Sequence, residues 1–402
     1  MNRPASLTNI RTLAPDGVAA AFLLAFVATA GIVYINIMQA LVTGLSDGLH
    51  ISSARAGAIG AANAYGATLG AFAGVFLVPW LEWKKTAFAA LLLLLVIDLA
   101  SIALSSAMAL MAVRFAHGAV GGFLVCTGYS VMARLRDPDR GFGICFMIQY
   151  ALSGIGNTWL PDLVPHFGVK VLFLTMAAFS AVTLAMLPFL GPYPMPRMAS
   201  GAPRPRGSIR LRLLFPALTA VFLLQGGNMG LGAYVISLGR SAGLDLAFSS
   251  GAVGAGSWVG FGGAALVAVI STRFGRTLPL ALAFTLTLGA TWVFHRSGNP
   301  VLFVVANLIS AGVWGFVLSY LFGMCSALDR RGFSAVLAGL VAKLGLATGI
   351  LLGGRLLGEA ENYASLIDAA LLVLALSAAC ALPVALALDR RETAGASAPA
   401  SA

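Results

Sequence analysis

Long apolar runs separated by short polar breaks recur along the whole chain. A membrane-spanning helix needs roughly 20 apolar residues. On that measure the pattern predicts twelve helices, over 17–41, 56–78, 86–106, 108–133, 142–161, 169–190, 213–237, 249–270, 278–296, 300–325, 333–357 and 364–388. One long polar stretch interrupts them, GPYPMPRMASGAPRPRGSIRLR from Gly191 to Arg212. It holds five prolines, five arginines and no acidic residue. Proline at that density excludes a helix, and so little apolar surface cannot pack. The chain therefore divides into a six-helix half (1–190), an exposed basic linker (191–212), a second six-helix half (213–388) and a small polar tail (389–402) expected to be disordered.

Composition turns this pattern into an all-α membrane protein. Hydrophobic residues make up 59% of the 402 and charged residues 10%, with a mean hydropathy of +0.92. A soluble domain carries about a quarter charged residues. The net charge of +11 does not signal nucleic acid, because it is sorted by side. With the N-terminus placed in the cytoplasm, 18 of the 25 Lys and Arg residues fall in cytoplasmic segments, five on the opposite face, and two (Arg114 and Lys343) inside helices. That asymmetry predicts a multi-pass protein of the inner (plasma) membrane with both termini and the linker cytoplasmic. The N-terminal run resembles a secretory leader, with Ala28-Thr29-Ala30 after Val18 to Val27, but it stays apolar to about Leu41 and reads as a span. The four cysteines lie in apolar stretches without metal-like spacing, so neither a disulfide nor a metal site is expected. No phosphate loop, HExxH or nucleophile triad appears, so no enzyme and no cofactor is expected.

The two halves repeat one plan. Gly44, Gly48, Gly57, Gly60 and Gly66 fall on Gly239, Gly243, Gly251, Gly254 and Gly260, with a one-residue gap. Ala119-Val-Gly-Gly-Phe123 falls on Gly312-Val-Trp-Gly-Phe316, and Arg140-Gly-Phe142 on Arg331-Gly-Phe333. Parallel repeats imply a pseudo-two-fold axis along the membrane normal. With the basic central loop, Thr272-Arg273-Phe274-Gly275-Arg276 between helices 8 and 9, and Arg114-Phe-Ala-His-Gly118 followed by Gly121-Gly122 in helix 4, the chain resembles the major facilitator superfamily over 17–388. The resemblance implies that family's fold, with helices 1, 4, 7, 10 and 2, 5, 8, 11 around a central cavity. It also implies a cytoplasmic gating motif at Arg273, Gly275 and Arg276, whose arginines latch the closed state. The first-half loop, Val78-Pro-Trp-Leu-Glu-Trp-Lys-Lys85, lacks the usual Asp, Arg and Gly, and helix 5 lacks the Gly-Pro pair of the proton–drug antiporters.

Three ionisable residues at mid-helix carry the candidate chemistry, because each costs ~2.5–3.5 kcal/mol to insert. Asp98 and Arg114 lie eight residues either side of Ser106, hence at one depth, ~12 Å below the turn. They form either a structural pair or a working one, with Arg114 on substrate and Asp98 or His117 exchanging protons. Lys343 has no acidic residue in its helix and points ~160° away from Gly345 on the Gly345–Gly349–Gly353 stripe; it faces either the cavity or, by snorkelling, the lipid headgroups, and its depth of ~15 Å from the nearer helix end favours the cavity. Asn36, Gln39, Gln149, Asn157, Gln225, Asn228 and Asn307 complete the candidate substrate site, each weighed against plain helix–helix hydrogen bonding. The intramembrane charge, Arg114 and Lys343 against Asp98, sums to +1 and attracts anions. The expectation is a monomeric secondary transporter of a small organic anion such as a carboxylate, working in the bilayer with proton coupling. Efflux of hydrophobic drugs or metabolites is the alternative, and a non-transporting receptor or assembly factor on the same fold is the alternative of another class.

Overall fold

The computed structural model describes residues 12–136, 138–193, 211–270, 275–328, 333–358 and 360–396. Its helices make twelve crossings. The first crossing is in three pieces, α1 (Val18–Ala30), α2 (Val33–Asn36) and α3 (Met38–Leu49). There follow α4 (Ser53–Leu77), α5 (Trp83–Ser101), α6 (Ala107–Met132), α7 (Pro138–Phe167) and α8 (Lys170–Met186). The seventh crossing is in two pieces, α9 (Leu211–Gly232) and α10 (Val235–Ser241). The rest are α11 (Leu246–Ile270), α12 (Thr277–Val293), α13 (Pro300–Ala327), α14 (Phe333–Leu357) and α15 (Tyr363–Ala396). Eight of the described helices are long and apolar enough to cross a bilayer uninterrupted. After an even number of crossings, the start of α1 and the end of α15 fall on one face, here the proximal face.

Four helix ends run well past the sequence expectation. α3 and α10 run past 41 and 237 because each restarts after a break, at Ile37 and at Tyr234. α7 continues through Pro161 and Pro165 to Phe167, since a bundle interior offers other partners to the carbonyls that proline frees. Beside the Asn157 carbonyl that Pro161 frees, the Ser250 hydroxyl of the second half donates to the Thr158 carbonyl at 3.1 Å. α15 is helical to Ala396, well into the stretch expected to be a disordered tail. The linker from 194 to 210, Arg273, Asp137 and 329–331 lie outside the described residues.

Glycines set how closely the crossings approach. On α14, a methyl at Gly345, Gly349 or Gly353 would collide with the carbonyls of Phe222, Gly226 and Gly230 on α9. In the first half Gly66 and Gly70 of α4 meet the carbonyls of Phe115 and Ala119 on α6 in the same way. Backbone cannot yield as a side-chain tip does. Gly349→Ala is therefore expected to cost about 1–3 kcal/mol by overpacking, lowering the apparent Tm by several degrees. Gly289→Ala, where nothing lies within 4 Å, is expected to leave Tm unchanged in the same melt.

The apolar cores show where the halves meet. One core joins them toward the distal face, with Tyr34, Met38, Leu41 and Leu45 against Leu231, Tyr234, Ile236 and Ile350. Toward the proximal face there are two separate cores, one inside each half, around Leu24, Leu91 and Leu124 and around Leu224, Phe284 and Leu321. Polar contacts reinforce the distal closure. Arg240 pairs with Asp47 at 2.6 Å, Ser53 donates to Glu361 at 2.8 Å, and Tyr65 and Thr348 hydroxyls lie 2.9 Å apart. The Tyr234 hydroxyl, donating to Ile350 O at 2.7 Å, wedges between Gly57 and Gly354. The halves thus seal distally and separate proximally.

Candidate functional site

Between the halves lies a cavity of ≈ 560 Å³ that starts at mid-depth and extends toward the proximal face. Seven of the expected site residues line it: Asn36 and Gln39 from the first crossing, Gln149 from α7, Gln225 and Asn228 from α9, Asn307 from α13 and Lys343 from α14. Lys343 points there for the reason its helix supplies: the glycine stripe occupies the opposite side against α9. Among the described residues it has no hydrogen-bond or ion-pair partner, and no Asp, Glu, Arg or His shares the lining. Asn36 Nδ2 and Gln39 Oε1 are buried without partners. Buried polar atoms are nearly always satisfied, so these two mark where the site still lacks hydrogen-bond partners.

The other polar groups are partly committed. Trp314 Nε1 donates to Gln225 Oε1 at 2.7 Å, and Asn307 Nδ2 donates to Phe303 O at 2.8 Å. Gln149 Nε2 donates to Cys145 Sγ at 3.1 Å. Aromatic residues supply much of the remaining wall, including Tyr129, Phe146, Tyr150, Trp314 and Phe322. Sequence reasoning missed them, although a signal was present. Phe146 lies one helical turn before Gln149, and Trp314 two turns after Asn307.

Four expected site residues are elsewhere. Arg114 does not face the cavity; it is fully buried between α5, α6, α8 and the first crossing. Its Nη1 pairs with Asp98 Oδ1 at 2.7 Å, and Nη2 reaches Ser101 Oγ and Ile97 O. The rings of Tyr34 and Phe173 lie over it, with centroids 5.9 and 5.1 Å from Cζ. Its charge is thus consumed inside the first half, which corrects the expectation of a substrate contact. His117 Nε2 is 3.4 Å from the same Asp98 oxygen. Asn63 Nδ2 donates to both Arg114 O (3.1 Å) and His117 Nδ1 (2.9 Å), so Nδ1 accepts and Nε2 carries the hydrogen. Asp98 and His117 form an enclosed cluster that the cavity does not touch, which removes the direct proton route expected of them. Asn157 is also fully buried and outside the lining, with every polar group bonded.

Gly275 and Arg276, expected to belong to a gating motif, sit at the proximal start of α12. Gly275 has φ +69°, a left-handed turn that suits glycine. Beyond it, the Arg276 and Thr277 amides donate to the Asp389 carboxylate at 2.9 Å each, capping α12 from α15. Arg276 Nη1 is 3.9 Å from Asp389, so this contact lies within the second half.

The sequence model of the Major Facilitator Superfamily matches residues 19–328, three quarters of the chain. The chain belongs to the major facilitator superfamily. Solved structures of that fold superpose along nearly the whole length. A nucleoside transporter, NupG, matches with a TM-score of 0.72 at 12% identity, over 91% of this chain and 98% of that one. A peptide transporter, POT, matches with a TM-score of 0.68 at 16% identity, over 95% and 97%. Among curated protein sequences none matches. The chain is thus a superfamily transporter with twelve membrane helices in two pseudo-symmetric halves, and not an enzyme.

Proposed function

We propose that this transporter carries a small organic monoanion, a carboxylate, by exposing its central cavity alternately to the two faces. The observation that carries the reading is Lys343: among the described residues, one ammonium without a counter-charge in a cavity lined by no acidic residue. A charge in such surroundings is attracted to an anion far more strongly than it would be in water. One cation matches one carboxylate. The carboxamides of Asn36 and Gln39 in the lining suit a neighbouring hydroxyl or amide, and the aromatic wall suits an apolar body. Proton coupling in this reading falls on Lys343 itself, because the Asp98–His117 cluster is enclosed. A thermal-shift panel on purified protein tests the class, since a ligand of the folded state raises Tm. Small carboxylates are expected to stabilise it, and sugars are not. Stabilisation by lipophilic cations alone would replace this reading with efflux of hydrophobic compounds, for which the aromatic wall is the supporting feature.

The 18 to 5 partition of basic residues supports an inner-membrane protein with the proximal face, and hence the open end of the cavity, in the cytoplasm. Ser200→Cys in the linker, in a background without the four native cysteines, is expected to resist an impermeant maleimide in intact cells. Labelling there as fast as in lysed cells would reverse the orientation.

A further inference from the structure

The first crossing breaks twice, and the second break lies where it meets the cavity. Ile37 has φ −111° and ψ +26°, outside the helical range, and α3 begins one residue later. At such a break the carbonyl of Asn36 and the amide of Ala40 lose the bond they would share in a continuous helix. Both groups are instead held by α7. Asn157 Oδ1 accepts from the Ala40 amide at 3.1 Å, and its Nδ2 donates to the Asn36 carbonyl at 3.3 Å. One carboxamide thus stands in the gap and supplies the donor and the acceptor that each side lacks.

Ser153, one turn earlier on α7, completes the arrangement. Its hydroxyl donates to the same Asn36 carbonyl at 2.7 Å and accepts from Asn157 Nδ2 at 3.1 Å. These bonds fix which end of the Asn157 amide is oxygen, because only Nδ2 can serve a carbonyl. Ser257 of the opposite half lies 3.0 Å from the Ser153 hydroxyl. The break is therefore tied to α11 across the interface as well.

Asn36 and Gln39 flank this joint; both line the cavity, and each keeps one amide atom buried without a partner. Their direction depends on the angle at which α2 meets α3, and Asn157 sets that angle. On the other side of α2, Tyr34 packs over Arg114, so the four-residue piece is held between the cavity and the buried charge cluster.

We infer that Asn157 is a positioning residue: it splints the broken first crossing and so fixes how Asn36 and Gln39 face the solute. This inference stands whatever the solute is. The test is hydrogen–deuterium exchange by mass spectrometry on the full-length protein in lipid nanodiscs. In the wild type the Ala40 amide, despite the break beside it, is expected to exchange as slowly as amides within α3. In Asn157→Ala it is expected to exchange at least tenfold faster, with peptides of α5 and α8 unchanged. Ser153→Ala leaves the Ala40 bond in place and is expected to stay within threefold of wild type. A second readout follows the side chains. Gln39→Cys, in a background with the native cysteines replaced by alanine, reacts with a water-soluble methanethiosulfonate, and adding Asn157→Ala is expected to slow it at least fivefold. Rapid exchange of Ala40 in the wild type overturns the inference without any variant. So does equal acceleration across the whole first half, which would mark Asn157 as bulk packing, and so does an unchanged Gln39→Cys rate.

Discussion

Lys343→Gln protein will fold and express, and it will bind the stabilising carboxylate at least thirtyfold more weakly than wild type. Removing one partner of a desolvated charge pair costs about 2–5 kcal/mol, and the lining offers no second cation among the described residues. The empty variant will be no less stable than wild type, because a half-buried ammonium without a partner contributes nothing to folding. Lys343→Arg will retain part of the affinity, since the charge survives while the planar fork needs a different approach. In wild type, binding will weaken as pH rises through the titration of Lys343, because only the ammonium attracts the anion. Calorimetry at two pH values on the three proteins decides the matter. Wild-type affinity in Lys343→Gln would remove the anion proposal.

Breaking the buried pair is expected to damage folding rather than transport. Asp98→Asn leaves Arg114 charged and fully enclosed, a loss of about 3–5 kcal/mol. Most of the folded protein will disappear from size-exclusion profiles. Asp98→Asn combined with Arg114→Gln will recover much of the yield, because a neutral amide pair in the same space leaves no orphan charge. Losses that simply add in this double-mutant cycle would show that the contact at 2.7 Å contributes nothing.

The sequence made some of these features legible and hid others for physical reasons. Depth along a helix is local arithmetic, so the level of Asp98 with Arg114 could be read from their distance to Ser106. Azimuth is not local. Arg114 turns away from the cavity because Asp98, Ser101 and Phe173 wait on its other side, and Phe173 belongs to a helix 59 residues on. Lys343 was legible in azimuth because its own helix carries the glycine stripe that fixes the opposite face. The break at Ile37 was not legible. The residue that satisfies it, Asn157, is 117 positions from Ala40, and an apolar run looks the same whether its helix is continuous or not. The tight turn at Gly275 was legible before α12, but the partner of Arg276, Asp389, sits on α15 in a stretch that reads as the start of a polar tail.

The distal seal has a thermal consequence. It is made mainly of apolar side chains shared by the halves, with few charges. Apolar association near room temperature is driven by entropy and weakens on cooling. Exposing this seam to water takes up heat capacity, as partial unfolding does. The share of this seam in holding the empty carrier proximally open is therefore largest when warm. The step that returns the empty cavity to the distal side exchanges this seam for a proximal one, so the curvature of its rate with temperature reports the difference in apolar area between the two seams and not the solute.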